Sequence, residues 1–286
     1  MRVTVIGAGT MGRGIAHVAA LGGYPTTLQD VSPQALAKAL ESIRRNLDEG
    51  VERGKTAQGD RDAAVRNLSS ETDLAASAQG AGLVIEAVPE DLKLKCELFQ
   101  KLHGICPSEA VFASNTSALS VTEMGSASGR PDRFVGMHFF NPVHKMKLIE
   151  LIKGADTSEA TLKLATEVSH RMGKETVLVR ESPGFVTSRI NALIGNEAFR
   201  MLEAGVATAE DIDKALKLGL NHPMGPFEMV DLVGLDVRLS ILEYLHKTLG
   251  ETYRPTELMR KHVKEGRLGR KAGRGVYEYP PQRVKA

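Results

Sequence analysis

Apolar and polar positions follow two different rhythms along this chain, and the rhythm changes once. Residues 2–6 are a short run rich in Val and Ile, which reads as a buried strand. Residues 11–22 set Ile15, Ala16, Val18, Ala19 and Leu21 at helical spacing, and Gly22 and Gly23 stop that helix. A second strand fits 25–29. Ser32 then offers an N-cap and Pro33 a first helical position, opening a helix to about residue 52. The polar stretch 54–62 reads as a loop. Further strands are predicted at 83–88, 111–114, 134–138 and 148–152. A helix over 91–103 carries Leu92, Leu94, Leu98, Phe99 and Leu102. Strands alternating with helices predict a parallel sheet with right-handed crossovers.

The texture turns helical beyond Ser182-Pro183-Gly184. Helices are expected over 185–204, 208–218, 226–248 and 255–265, with Asn221-His222-Pro223-Met224-Gly225-Pro226 separating two of them. The expected fold is therefore α/β: a doubly wound sheet over 1–183, followed by an all-helical domain over 184–286. The basic, glycine-rich stretch 266–274 reads by composition as a solvated tail loop.

Composition narrows the class. A chain of 286 residues with 42% hydrophobic and 25% charged residues is that of a soluble globular protein with room for a full core. A formal net charge of +2 gives no reason to expect nucleic acid as a partner. No run approaches the ~18 apolar residues that a membrane span needs. The chain opens directly on a strand, with no room for a signal peptide, so the expected location is cytoplasmic. Cys96 and Cys106 form neither a disulfide framework nor a zinc spacing and are expected as reduced thiols. No metal is expected.

The first chemistry lies between the first strand and the first helix. Gly7-Ala8-Gly9-Thr10-Met11-Gly12 reads G-x-G-x-x-G. Alone the pattern is weak; between a strand and a helix it marks a Rossmann-type dinucleotide site. Gly7 permits the tight turn, Gly9 lets a pyrophosphate approach the backbone, and Gly12 lets helix and strand pack closely. The pyrophosphate is expected at the helix N-terminus, where unpaired N–H groups favour an anion. Asp30, at the end of the second strand, can accept hydrogen bonds from ribose hydroxyls and would repel a 2′-phosphate. NAD is therefore favoured over NADP.

A second cluster points to what is oxidised. Ser114-Asn115-Thr116-Ser117 and His138-Phe139-Phe140-Asn141-Pro142 both lie at strand ends, which face the ligand crevice in open α/β sheets. An alcohol that gives up hydride must also lose its hydroxyl proton to a base titrating near neutrality, a role that suits histidine. Glu150, further downstream, could hold the tautomer of His138 and stabilise its charged form. Ser117 could donate to the developing oxyanion. Taken cold, His138 reads more readily as a structural histidine among Phe139 and Phe140, and spacing alone does not bring it to Glu150.

These residues carry a resemblance over essentially the whole chain. The segments Val5–Gly12, Ala113–Ser117, Gly136–Pro142, Pro183-Gly184-Phe185 and His222–Pro226, in this order, resemble the 3-hydroxyacyl-CoA dehydrogenases, especially the short-chain bacterial 3-hydroxybutyryl-CoA dehydrogenases. The resemblance implies NAD-linked interconversion of (S)-3-hydroxyacyl-CoA and 3-ketoacyl-CoA, as in fatty-acid metabolism, with His138 as catalytic base, Glu150 as its partner and Ser117 beside the substrate carbonyl. It places Glu90, Lys95, Ser117, Asn141 and Lys271 along the NAD site, with Asn141 also near substrate. It places Asn46 and Arg53 on CoA, and it makes the helical domain a dimerisation region. Arg44, Arg45, Arg53 and Lys55 are candidates for the CoA phosphates, or simply a solvated helix face and loop. The chain departs from the family once: Ser188 stands before Arg189 where the family usually has asparagine. Serine can still donate a hydrogen bond, and Asn191 lies one helical turn away. Related dehydrogenases of free hydroxyacids share the histidine motif and are the alternative activity. A non-catalytic NAD-binding protein is the alternative outside enzymes.

Overall fold

The computed structural model describes residues 1–280. Positions 281–286 of the expected helical domain lie outside the described residues. The chain divides into two compact units, Met1–Ser182 and the residues from Pro183 onward.

The first unit is built on one eight-stranded sheet. Its first half contains β1 (Val3–Ile6), α1 (Thr10–Leu21), β2 (Thr26–Gln29), α2 (Pro33–Glu52), α3 (Gln58–Asn67) and β3 (Leu68–Glu71). The second half runs through α4 (Leu74–Ala78), β4 (Leu83–Glu86), α5 (Leu92–His103), β5 (Val111–Ser114) and α6 (Val121–Ala127). It then continues through β6 (Phe134–Phe139), β7 (Leu148–Lys153), α7 (Glu159–Arg171) and β8 (Glu175–Arg180). The strand order is β3-β2-β1-β4-β5-β6-β7-β8. The chain thus winds outward from β1 and returns to β4 on its other side. The crevice at the carboxyl ends of β1 and β4 is the switch point where such sheets bind ligands.

Local chemistry explains these elements. Ser32 caps α2 by accepting from Ala35 N at 3.2 Å, with Pro33 in the first turn. Helix α1 buries Ile15, Ala16, Val18 and Ala19 in one core with Val3, Val5, Leu28, Leu83 and Ile85. Each large apolar side chain there contributes roughly 1.5–3 kcal/mol.

The structure departs from the sequence expectation in several places, strands β3 and β8 among them. All strand pairs are parallel except β6–β7, which is antiparallel. The link between them, residues 140–147, contains no helix and is too short for a parallel crossover. Part of the expected 54–62 loop belongs to α3, whose polar sequence buries only Ala64 and so shows no apolar stripe. The expected 226–248 helix is two helices in the second unit. That unit contains α8 (Thr187–Glu203), α9 (Ala209–Gly219), α10 (Pro226–Val233), α11 (Leu235–Leu249) and α12 (Glu257–Lys264). Gly234, at φ +108°, breaks α10 from α11. Finally, 266–274 is tied down by hydrogen bonds of its own and of the residues that follow it, although Gly266, Arg270, Lys271, Ala272 and Arg274 stay exposed. Arg267 Nε donates to Gly275 O at 2.9 Å. Asp231 accepts from Val276 N, Tyr277 N and the Tyr279 hydroxyl, each at 2.9 Å. Phe199, Phe227, Leu235, Leu242, Leu245 and Met259 form the core of this unit.

Candidate active site

The glycine turn after β1 shows why each glycine is there. Gly7 has φ +100°, and a Cβ on it would stand 2.7 Å from Ala87 O at the end of β4. A Cβ on Gly12 would fall 1.7 Å from Gly7 O, so only glycine lets α1 start so close to β1. A Cβ on Gly9 would meet nothing within 4 Å. The space that Gly9 leaves is open to a ligand. Gly9 is also the N-cap of α1, whose first turn has no side-chain cap and no acidic residue, leaving Thr10, Met11 and Gly12 N–H groups oriented for an anion.

A cavity of about 760 Å³ opens beside this turn, walled by Gly7, Gly9, Asp30, Val31, Leu74 and Leu94 among others. Its volume is that of a cofactor pocket. Asp30 Oδ2 accepts from Ala8 N at 2.7 Å and Oδ1 from Ser32 N at 2.9 Å. Its carboxylate is thus fixed on the cavity rim by two backbone bonds, with lone pairs to spare for hydroxyl donors.

Three strands along from β1, the antiparallel pairing sets His138 of β6 directly opposite Glu150 of β7. Side chains opposed across a ladder share one face, and His138 Nδ1 lies 2.7 Å from Glu150 Oε2. Glu150 is fully buried and His138 nearly so. A charged Glu150 can only accept, and in that state it favours the tautomer with the proton on Nδ1 and the lone pair on Nε2. The ring of Phe140 packs on the imidazole at 4.6 Å between centroids. Asn115 Oδ1 accepts from Phe139 N at 2.9 Å, tying the end of β5 to that of β6.

Ser117 follows β5 and is held by Glu90. Glu90 Oε1 accepts from Thr116 Oγ1 at 2.6 Å, Ser117 N at 2.9 Å and Ser117 Oγ at 3.3 Å. Glu90 Oε2 lies 3.2 Å from Lys95 Nζ. Lys95 is buried, with Nζ donating to Glu86 Oε1 at 2.7 Å. Burial works to raise the Glu90 carboxyl, but Lys95, Thr116 and the Ser117 N–H together hold it below its ordinary value. Burial pushes Glu86 up, against the pull of Lys95 and Ser114. Glu86 is the residue that sequence reading missed; a glutamate closing an apolar strand was the available signal.

The remaining expected site residues lie as follows. Asn141 is exposed just past β6, joined to Pro142 by a cis peptide. Asn46 is half-buried on α2. Arg53 ends that helix, exposed, 3.5 Å from Glu49. Arg44 and Arg45 line a shallow depression of about 310 Å³ together with Glu41, Asp48, Glu49 and Glu52. Ser188 and Lys271 belong to the second unit. Ser188 is half-buried in the first turn of α8, one turn before Asn191, and α8 is entered through Phe185 at φ +50°. Lys271 Nζ donates to Asp236 at 2.7 Å. No group of three or more metal-ligating side chains occurs among the described residues. None of the described helices is long and apolar enough to cross a membrane.

Comparison with known proteins gives the following. The family model described as 3-hydroxyacyl-CoA dehydrogenase, NAD binding domain, matches residues 2–182. The model of the 3-hydroxyacyl-CoA dehydrogenase C-terminal domain matches residues 184–279. A probable 3-hydroxybutyryl-CoA dehydrogenase of Bacillus subtilis is 44% identical over 97% of both chains. The mitochondrial hydroxyacyl-coenzyme A dehydrogenase of Homo sapiens is 41% identical over 97% of this chain and 90% of its own. The crystal structure of an (S)-3-hydroxybutyryl-CoA dehydrogenase from Ralstonia eutropha superposes with a TM-score of 0.92 at 41% identity, covering 98% of this chain and 99% of that one.

Proposed function

The chain belongs to the 3-hydroxyacyl-CoA dehydrogenase family, and from that premise we propose that its reaction is carried by His138, Glu150 and Ser117. It is an NAD-dependent oxidoreductase that interconverts (S)-3-hydroxyacyl-CoA and 3-ketoacyl-CoA. Our reading of the preferred pair is 3-hydroxybutyryl-CoA and acetoacetyl-CoA, after the bacterial relatives of that name.

The residues present fit NAD. Open space at Gly9, the uncapped start of α1 and the Asp30 carboxylate suit a pyrophosphate and a ribose without a 2′-phosphate. When bound, NAD supplies the hydride acceptor. In the mechanism we favour, the substrate hydroxyl gives its proton to His138 Nε2, and Glu150 stabilises the imidazolium that results. Ser117 directs its hydroxyl at the substrate oxygen. In the reductive direction the imidazolium returns the proton. The observation that supports this reading is the 2.7 Å contact of His138 with a fully buried carboxylate, which when charged favours the tautomer a base requires.

His138→Gln tests it. Turnover of acetoacetyl-CoA with NADH should fall by about 10²-fold or more, the scale of losing a general base, while NADH affinity is kept. Unchanged turnover rejects the assignment. Ser188 is proposed to contact substrate, and Lys271, Asn141, Asn46 and Arg53 to line cofactor or CoA. We also propose a homodimer: Val206, Leu218 and Leu220 of the second unit are each at least 66% exposed, an apolar area that a partner copy would cover. A cytoplasmic location agrees with two free thiols, Cys96 and Cys106.

A further inference from the structure

We infer that Glu86 is a positioning residue for the reaction: it acts through Lys95 and Glu90 to hold the Ser117 hydroxyl in place. The inference rests on the reading above that Ser117 faces the substrate.

Glu86 closes β4 and is fully buried, yet all of its partners are in place. Oε2 accepts from Ser114 Oγ at 2.5 Å. Oε1 accepts from Val88 N at 2.7 Å and from Lys95 Nζ at 2.7 Å. Val88 lines the cavity beside the glycine turn, so this one carboxylate fixes a wall of the cofactor pocket. Through Lys95 it reaches the other side. The ammonium divides itself between Glu86 at 2.7 Å and Glu90 at 3.2 Å. The shorter contact to Glu86 leaves Glu90 Oε1 available for Thr116 and Ser117.

The charge balance gives this arrangement its force. Two carboxylates share one ammonium, and Glu86 and Lys95 have almost no solvent to replace a lost partner. If Glu86 loses its charge, Lys95 retains a single carboxylate, and the pair closes up. Glu90 then turns toward Lys95 and releases the turn that carries Ser117. A shift of about 1 Å in a reacting group can cost 10²-fold in rate. The Ser117 hydroxyl is also the weakest of the bonds to Glu90, at 3.3 Å. Because Thr116 Oγ1 and Ser117 N already satisfy Oε1, this hydroxyl can leave Glu90 for a substrate oxygen without orphaning the carboxylate.

A double-mutant cycle tests the inference, since groups acting through one another are not additive. Glu86→Gln keeps the shape and removes the charge. It should lower kcat/KM for acetoacetyl-CoA by about tenfold in the wild-type background and by less than about twofold in Ser117→Ala. NADH affinity, read by fluorescence titration, and melting temperature accompany each variant. Equal losses in both backgrounds overturn the inference, as does a loss seen only as weaker NADH binding. Ser114→Ala removes one hydrogen bond and leaves every charge, so it runs the same cycle with a smaller expected loss if Glu86→Gln does not fold. A Ser117→Ala enzyme that turns over normally rejects the site reading itself. A Ser117→Ala enzyme that is impaired while Glu86→Gln is not rejects only the role of Glu86.

Discussion

At the scale of single residues, the glycines were legible and the charged pairs were not. Gly7, Gly9 and Gly12 occupy three different steric situations, and each follows from the motif alone. The meeting of His138 with Glu150 does not, because it depends on which strands pair and in which direction. The same blindness covers His17, a plain helix residue by sequence. It is buried on α1, stacked on His144 at 5.6 Å, and its Nδ1 has no hydrogen-bond partner among the described residues. Burial first, then the neighbouring charges of His144 and Lys174, hold it down to about 4, from an ordinary 6.5. A proton taken up by the unfolded chain below pH 6.5 is refused by the folded one until about pH 4. Stability is therefore full above 6.5 and falls as the pH drops toward 4. The loss should reach on the order of 2–3 kcal/mol. Urea unfolding at pH 7 and pH 4.5 should show that loss in the wild type and most of it removed in His17→Phe. Parallel losses in the two proteins would sink the idea.

At the scale of elements, apolar pattern found what the core reads and missed what it does not. Strands β1, β4 and β5 are buried throughout and announce themselves. β3 and the edge strand β8 carry exposed positions, so their runs look like loop, and α3 turns only one residue fully inward. The strand at β7 was legible but its antiparallel direction was not, since direction is set by a connection rather than by a pattern. That connection has its own fastening. Lys174, just before β8, is nearly buried and donates Nζ to Val143 O at 2.5 Å and Met146 O at 2.7 Å. Burial lowers its affinity for a proton, but the two carbonyls favour the ammonium it must keep to serve both. Lys174→Met would orphan both carbonyls at ~1–3 kcal/mol each, lowering the calorimetric melting temperature by roughly 3–10 °C. A shift within about 1 °C of wild type would mean that water replaces the ammonium there.

At the scale of the whole molecule, the change from alternating to purely helical texture near Ser182 was visible because a sheet and a helical bundle bury their apolar residues at different periods. The family models meet at the same place. Ser188 and Lys271 carry no local signature, so the roles proposed for them follow from the resemblance and not from the pattern of the chain. The pairing of His138 with Glu150 has a consequence for the lifetime of the enzyme. The two side chains hang from neighbouring strands in the interior of an eight-stranded ladder, not from loops. Such positions separate only when the sheet itself comes apart. Heat should therefore find no softer stage at which this protein is folded but dead for want of its dyad. Residual activity after brief heating and loss of sheet signal by circular dichroism should fall together, and activity falling well ahead would place the fragile part elsewhere. Formulations that preserve the fold of the first unit would then preserve its catalytic pair as well.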